Sequence, residues 1–455
     1  MTISRRAMLG GALGASAVLG APDLFGAPPV RKPNIIYVMA DDMGYGDLGS
    51  YGRVYDTPNI DRIGHEGILF TQAYANSCVC TATRVGLITG RYQNRFRIGQ
   101  EEPLGRASAT IGLDPAVPTM PGYLRRLGYR TVLVGKWHMG DAPRFGPLRS
   151  GYERFFGIYS GGKDYFVQPY DPAVGLTDGD RLLARHGYLT DELGDRAVRE
   201  IREAARDGQP LFLSLHFTAP HWPWEGPEDA AIAQGLSSIM HNDGGSIATF
   251  QKMLTALDMN VGKVLQAIAD AGRVDDTLVV FTSDNGGERF SNVWPLTGMK
   301  GELLEGGIRV PLLARWPGRI APGSRSDQVA ISMDWMPTFI EIAGAPAGFD
   351  APTDGRSILP QLTGGASVPR KLFWMYKAND QAAHRDGSWK YLRLAGHEYL
   401  FDLAQDEHER ANRAAHEKDR FEAMKAAHAQ WTATMLPYPA DSASWDNQGK
   451  VPDRY

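Results

Sequence analysis

Cys78 and Cys80 are the only cysteines in the chain, and Arg84 follows the second by four residues. Thr81, Ala82 and Thr83 make a small, turn-prone entry to the apolar Val85, Leu87 and Ile88. This pattern predicts a buried helix with Cys80 at its N-terminal end. Backbone N–H groups and the helix dipole make such an end a seat for an anion. Taken alone, the two cysteines read as small core residues, since free Cys is among the most buried side chains. Their spacing is poor for a disulfide, which favours chemistry at Cys80 over stapling.

Four apolar runs each finish in polar residues. Residues 34–40 form a continuous apolar stretch suited to a central parallel strand and end in Asp41-Asp42. Adjacent carboxylates at the end of a buried strand repel each other unless a cation lies between them; a solvated acidic turn is the plainer reading. A run at 277–282 ends in Ser283-Asp284-Asn285-Gly286, which adds two hard oxygen ligands. A run at 129–135 leads into Lys136-Trp137-His138, where a Lys and a His two residues apart can converge on one anion. The fourth, 210–217, leads to Pro220-His221-Trp222-Pro223, in which prolines stiffen the loop around His221. Lys300 follows Gly298-Met299 and precedes Gly301, so backbone and side chain can approach a ligand closely. Open α/β sheets bind ligands at the carboxyl ends of their strands, and four such ends are hard to assign to accident.

The elements that must position these groups follow from periodicity. Helices are predicted over 57–65, 119–128, 190–208 and 249–271, the last with Leu254, Leu257, Met259, Val261 and Leu265 on its apolar face. Residues 92–118 and 151–188 read as loops near the site, with Arg95, Arg97, Glu101 and Glu102 as solvated charges. His216 reads as a packed core residue. His65, His384, His397, His408, His416 and His428 read as surface, with His384 or His397 able to reach the pocket. After residue 335 the composition shifts. Short alternating strands at 371–376, 389–394 and 398–403, with turns at Asp386-Gly387 and Ala395-Gly396, precede a helix over 417–435. The organisation is thus an α/β catalytic domain over 34–335 and a smaller antiparallel sheet plus helix over 336–455.

At 455 residues, 43% hydrophobic and 22% charged, the chain has an ordinary globular composition, and a formal charge of -4 offers no footprint for nucleic acid. Arg5-Arg6 before the apolar, Gly/Ala-rich run 7–21 reads as a secretory signal within residues 1–27, of the twin-arginine kind. No second run approaches membrane-spanning length, so the mature chain is expected in the periplasm or outside the cell without stable membrane insertion.

Cys80-Thr81-Ala82-Thr83-Arg84, followed by Leu87, Thr89, Gly90 and Arg91, resembles the signature C-x-[PA]-x-R…L-x-T-G-R of the type I sulfatases, members of the alkaline phosphatase-like superfamily. Gly135-Lys136-Trp137-His138, Pro220-His221-Trp222-Pro223, Ser283-Asp284-Asn285-Gly286 and Glu305-Gly306-Gly307-Ile308-Arg309 match further family motifs in family order. Ala82 stands where many members have Pro, and Thr81 and Thr83 where Ser is common, which bears on the maturase that acts.

The resemblance implies a large, mostly parallel mixed sheet sandwiched by helices. It also implies oxidation of Cys80 to formylglycine, whose hydrated aldehyde attacks sulfur, with Arg84 holding it. Asp41, Asp42, Asp284 and Asn285, with the modified Cys80, would bind calcium, with magnesium as the alternative; zinc is disfavoured because no His joins the set. Lys136 and Lys300 would bind sulfate oxygens, Lys300 and His221 would protonate the leaving oxygen, and His138 would take a proton to release sulfate. Implied partners are a small-molecule or oligosaccharide sulfate ester and a formylglycine-generating maturase. A sulfated carbohydrate is the expected natural substrate, with Trp222, Trp224, Tyr165, Arg95 and Arg97 as candidate sugar contacts and aryl sulfates as artificial ones. The competing readings are a phosphonate or phosphate diester hydrolase and a non-catalytic binder of sulfated glycans.

Overall fold

Alternation along one strand sets up the whole architecture. In a computed structural model of the chain, Asn34–Ala40 is buried at every residue, and its side chains point by turns to opposite faces of a sheet. Ile36, Val38 and Ala40 enter one core with Leu193, Ala197 and Ile201 of the Leu189–Asp207 helix and Leu257, Val261 and Ile268 of the Ile247–Asp270 helix. Ile35, Tyr37 and Met39 enter the other with Val85, Leu87 and Ile88 of the Cys80–Thr89 helix, and with Trp335 and Phe339. A strand covered on both faces has no solvated side, hence its unbroken apolar run. The structure describes residues 31–52, 54–105, 110–166, 175–183, 187–234, 244–346 and 349–446. The signal segment expected in 1–27 lies outside them.

Asn34–Ala40 pairs in parallel with Leu211–His216 on one side and Thr277–Ser283 on the other, Val38 standing opposite Leu215 and Phe281. The parallel set continues from Leu211–His216 to Arg130–Lys136 and then Arg154–Ile158. Beyond Thr277–Ser283, Arg309–Arg315 runs antiparallel and pairs in turn with Ile68–Tyr74. The result is an α/β sheet, mixed but mostly parallel at its centre, with helices on both faces. The carboxyl ends of four parallel strands therefore lie side by side, carrying Asp41, Lys136, His216 and Asp284 at or just past their last residues.

A second, four-stranded antiparallel sheet runs in the order Lys371–Tyr376, Gln381–Asp386, Trp389–Leu394, His397–Asp402, and the Lys418–Thr432 helix packs on it through Met424. Leu372, Trp374, Leu392 and Phe401 of this sheet share a core with Cys78, Val79 and Ala82.

Several expectations need correction. Gln381–Asp386 is a strand that alternation did not signal: Gln-Ala-Ala-His-Arg is buried throughout and so shows no polar face. Arg154–Ile158 is a strand inside the stretch read as loop. Met259 is 59% exposed, one residue off the apolar face. His384 and His428 are buried rather than on the surface. The His384 ring stacks on Phe373 with its Nδ1 3.0 Å from the Met424 carbonyl, and His428 Nε2 lies 2.8 Å from the Trp374 carbonyl. His384 thus serves the second sheet, and His397 is exposed. Glu102, read as a solvated charge, is fully buried beneath residues 438–445 of the C-terminal segment.

Candidate active site

The Cys80–Thr89 helix is buried at all ten residues and ends at Gly90, whose φ of 64° closes it in the left-handed region. Its start is fastened locally. The Ser77 N–H donates to Thr83 Oγ1 at 3.0 Å, and the Thr83 hydroxyl donates back to the Ser77 carbonyl at 3.0 Å. This sets Cys80 on the first turn, pointing at His138: Sγ and Nδ1 are 3.2 Å apart. Both cysteines are free and buried. Burial pushes the Cys80 thiol up, against the pull of Lys136 and Lys300.

The tautomer of His138 follows from its other contact. Nε2 lies 2.8 Å from the Leu104 carbonyl oxygen, which can only accept, so Nε2 carries the hydrogen and Nδ1 faces Cys80 with a lone pair. Burial, with Lys136 nearby, holds the ring well below the usual histidine range, so it is neutral. His138 has φ of 58° and Asp42 of 64°, both left-handed and neither glycine. Such strain costs on the order of 1–3 kcal/mol per residue and collects at functional sites.

Three carboxylates and three cations interlock at the strand ends. Lys136 Nζ lies 2.5 Å from Asp41 Oδ2, Lys300 Nζ 2.6 Å from Asp42 Oδ2, and Arg84 Nη2 2.7 Å from Asp284 Oδ2 and 3.7 Å from Asp41. Arg84 Nη1 also donates to the Lys136 carbonyl at 3.0 Å. The Asp42 N–H donates to Asp284 Oδ1 at 3.2 Å, and Asn285 Nδ2 donates to Asp42 Oδ1 at 2.7 Å. His221 Nε2 stands 3.6 Å from Asp42, while its Nδ1, 2.5 Å from the Trp222 carbonyl, is the hydrogen-bearing nitrogen. The eight sequence-selected side chains other than Cys80 and His138 are thus linked, and those two stand beside them. Burial and the neighbouring Asp284 push the Asp41 carboxyl well up. For Asp42, burial is outweighed by the neighbouring ammonium groups, Lys300 first and then Lys136, bringing it to about 2. Burial and Lys300 hold His221 well below its ordinary range; Asp42 outweighs burial at Lys300, whose value is raised.

The donor set suits a hard cation. Asp41 Oδ1 and Asn285 Oδ1 are buried with no hydrogen-bond partner, and an unpaired buried oxygen is costly. Ligand atoms of Asp41, Cys80 and Asp284, and of Asp41, Asp42 and His221, lie within 4.8 Å of one another. Asp47 braces this region from outside: its carboxylate accepts from the Gly44 N–H at 2.7 Å, the Ser291 hydroxyl at 2.6 Å and the Asn292 N–H at 2.6 Å, tying the loop after Asp42 to the loop after Asn285.

The suggested sugar contacts fare differently. Tyr165 is fully buried and donates to the His221 carbonyl at 3.0 Å, so it supports that loop. Trp224 packs on Phe290, and Arg95 and Arg97 pair with Asp354 and with Glu101 and Asp441. Trp222 is half-buried against the His221 ring, 4.4 Å between centroids. Sequence reasoning missed the Leu104 carbonyl, which nothing in a side-chain pattern announces. It also missed Gly161, where a Cβ would sit 2.3 Å from the His138 ring; the Gly161-Gly162 pair was the available signal.

The sulfatase family profile matches residues 33–345, and that of the N-sulphoglucosamine sulphohydrolase C-terminal region matches 300–430. Human arylsulfatase A (Homo sapiens) is 33% identical over 386 residues, covering 77% of this chain and 72% of that protein. The N-acetylgalactosamine-6-sulfatase of Rattus norvegicus is 31% identical over 403 residues, covering 82% and 74%. The crystal structure of Ps i-CgsB in complex with k-i-k-neocarrahexaose superposes with a TM-score of 0.82 at 29% identity, covering 92% of this chain and 96% of that one.

Proposed function

The chain belongs to the sulfatase family of sulfuric ester hydrolases, and from that premise we propose that it releases inorganic sulfate from a sulfated carbohydrate, using a formylglycine made from Cys80 and a bound calcium ion. The observation that carries the proposal is the fixed orientation of His138: a neutral imidazole presents a lone pair 3.2 Å from the Cys80 side chain.

A hydrated aldehyde at Cys80 supplies an oxygen nucleophile and a second hydroxyl, and calcium on Asp41, Asp42, Asp284 and Asn285, with magnesium as the alternative, supplies positive charge at the sulfate oxygens. His138 then holds the role of base, because Nδ1 is bare and aimed at the side chain of residue 80. Lys136 and Lys300 bind sulfate oxygens; each now pairs with a carboxylate that the cation would otherwise engage. Three carboxylates against three cationic side chains leave the cluster formally neutral, so a divalent cation turns it into a seat for an anion. Lys300 already carries a proton for the departing oxygen. His221, neutral with its bare Nε2 toward Asp42, must first gain one to share that task.

The sugar assignment draws on the neighbour solved with a neocarrahexaose and on an aminosugar sulfatase among the relatives. A cavity of about 650 Å³ lined by Glu288, Trp294, Met299 and His408 offers room for parts of a larger substrate beyond the ring that bears the sulfate; its wall includes Gly287, whose carbonyl accepts the Lys300 N–H at 2.9 Å. Export through a twin-arginine signal in residues 1–27 to the periplasm or beyond, and modification by a maturase, complete the reading. They are supported by Arg5-Arg6 ahead of the apolar run and by the Cys80 signature. Among the described residues no helix is long and apolar enough to cross a membrane.

Two measurements test the proposal. Mass analysis of the peptide containing Cys80 is expected to show aldehyde in place of thiol. Sulfate release across defined sulfated mono- and oligosaccharides, beside aryl sulfates and aryl phosphodiesters, is expected to favour a sugar. An unmodified thiol with no turnover, or a higher kcat/KM on the diester, overturns it.

A further inference from the structure

Beyond the residues the family motifs mark, the C-terminal segment brings an indole to the edge of the sulfate site. The centroid of the Trp445 ring lies 5.5 Å from Lys300 Nζ, the same ammonium that is 2.6 Å from Asp42. Trp445 is half-buried and packs against the core that contains Cys78 and Val79. Its position is built rather than incidental. The Trp445 N–H donates to the Glu102 carbonyl at 2.6 Å, and its own carbonyl accepts from the Tyr376 hydroxyl at 2.6 Å. On the N-terminal side, the buried Glu102 carboxyl engages the Tyr438 and Ser444 hydroxyls, and Lys377 Nζ donates to the carbonyls of Pro439 and Ser442 at 3.2 and 2.7 Å. On the C-terminal side, Asn379 donates to Asp446 at 3.0 Å. The backbone on both sides of the tryptophan is therefore pinned, and little freedom is left to lose when a ligand arrives.

We propose that Trp445 is a specificity residue, a fixed aromatic face against which the ring of the leaving alcohol packs while its sulfate sits at Lys300. The inference rests on the sulfatase reading. Physically, an indole face suits the C–H face of a pyranose or an aryl ring, and it also draws the Lys300 ammonium toward itself. A ring joined to sulfate through one ester oxygen must pass close to whatever lies next to the sulfate-binding lysine. The ligand class is thus a ring-bearing sulfate ester, and inorganic sulfate, which has no ring, should be indifferent to the indole.

The test compares wild type with W445A, W445F and K377M, using phenyl sulfate and a monosulfated monosaccharide as substrates and inorganic sulfate as a competitive inhibitor. W445A should raise KM for both ring esters on the order of tenfold, with kcat changed less than about threefold. The Ki of inorganic sulfate should stay within about twofold. W445F should recover most of the loss, and K377M, which loosens the segment without touching the ring, should move KM the same way by less. A joint rise of KM and sulfate Ki, or no change in either, overturns the inference. Should the wild-type protein turn over no ester, the proposed function fails and calorimetry with phenyl sulfate decides the inference separately. Binding lost in W445A supports it, and binding equal in both proteins or absent from both overturns it.

Discussion

The Leu104 carbonyl accepts from His138 Nε2 at 2.8 Å, and this one contact decides which nitrogen of the imidazole is left to face Cys80. A backbone oxygen cannot donate, so the ring cannot turn its bare nitrogen away from residue 80 without losing a buried hydrogen bond. Gly161 keeps the ring's other side open to close approach, since a Cβ there would strike it at 2.3 Å. If His138 is the base, as proposed, it is oriented before any substrate arrives, which would save reorganisation during the reaction.

The kinetic consequence concerns pH. Burial and Lys136 lower the His138 value well below 6.5, so Nδ1 stays unprotonated through the neutral range. The profile of kcat against pH should therefore show no acid limb near 6.5, only one at lower pH. H138A should cut kcat by about 10²–10⁴-fold while the Ki of inorganic sulfate changes little. An acid limb centred at 6.5, or a kcat unaffected by H138A, would assign the base elsewhere.

The two unpaired oxygens, Asp41 Oδ1 and Asn285 Oδ1, predict a response to calcium. Binding to the native state alone stabilises it, by about 2.7 kcal/mol at a hundred times Kd. Melting curves with added calcium should shift upward and fall back with a chelator. In D284N and N285A calorimetry should show weakened calcium binding. A melting temperature indifferent to calcium and magnesium alike would rule out a hard-cation role for this cluster.

How much of this was readable beforehand depends on where each residue's partners come from. The strand ends were legible because an apolar run followed at once by Asp41-Asp42 or Asp284-Asn285 is local information, and the fold needs only to set such ends side by side. Glu102 was misread because its cover arrives from far away: Tyr438, which donates to it, lies 336 residues further along the chain. Trp445 was invisible for the same reason, in a segment with no motif and no periodicity. The Gln381–Asp386 strand failed the alternation test because both its faces are buried, so burial by neighbours overrode the pattern.

Glu102 also carries a stability prediction. Burial raises its carboxyl to about 8 from an ordinary 4.5, despite the hydrogen bonds it accepts. Between those values the folded chain holds a proton that the unfolded chain has lost, so stability falls as pH rises across the window. Its contribution is fully present below 4.5 and gone above 8. Asp47, raised to about 7 by burial, acts in the same sense. Replacing Glu102 by Gln imitates the protonated acid. Denaturant titrations from pH 5 to 8 should therefore show a slope, on the order of a few kcal/mol over the range, that is visibly flatter in E102Q. Equal slopes in the two proteins would mean that Glu102 is ionised in the fold.

Arg84 separates charge from shape. Its guanidinium reaches Asp284 Oδ2 at 2.7 Å through Nη2 and the Lys136 carbonyl at 3.0 Å through Nη1, with no exposure to solvent. A lysine keeps the charge but has no rigid fork, so it can satisfy one of these partners and not both. R84K should stay folded, losing about 1–3 kcal/mol for the partner left unpaired, with kcat down about 10–100-fold as the strand end bearing Lys136 loses its tether. R84M should behave worse in kind. It removes the cation while Asp41 and Asp284 remain buried, an uncompensated charge that costs about 3–5 kcal/mol unless calcium takes over the neutralisation. Unfolding of R84M with and without calcium settles the matter: rescue by calcium shows that ion and guanidinium balance the same carboxylates, and no rescue shows that they do not.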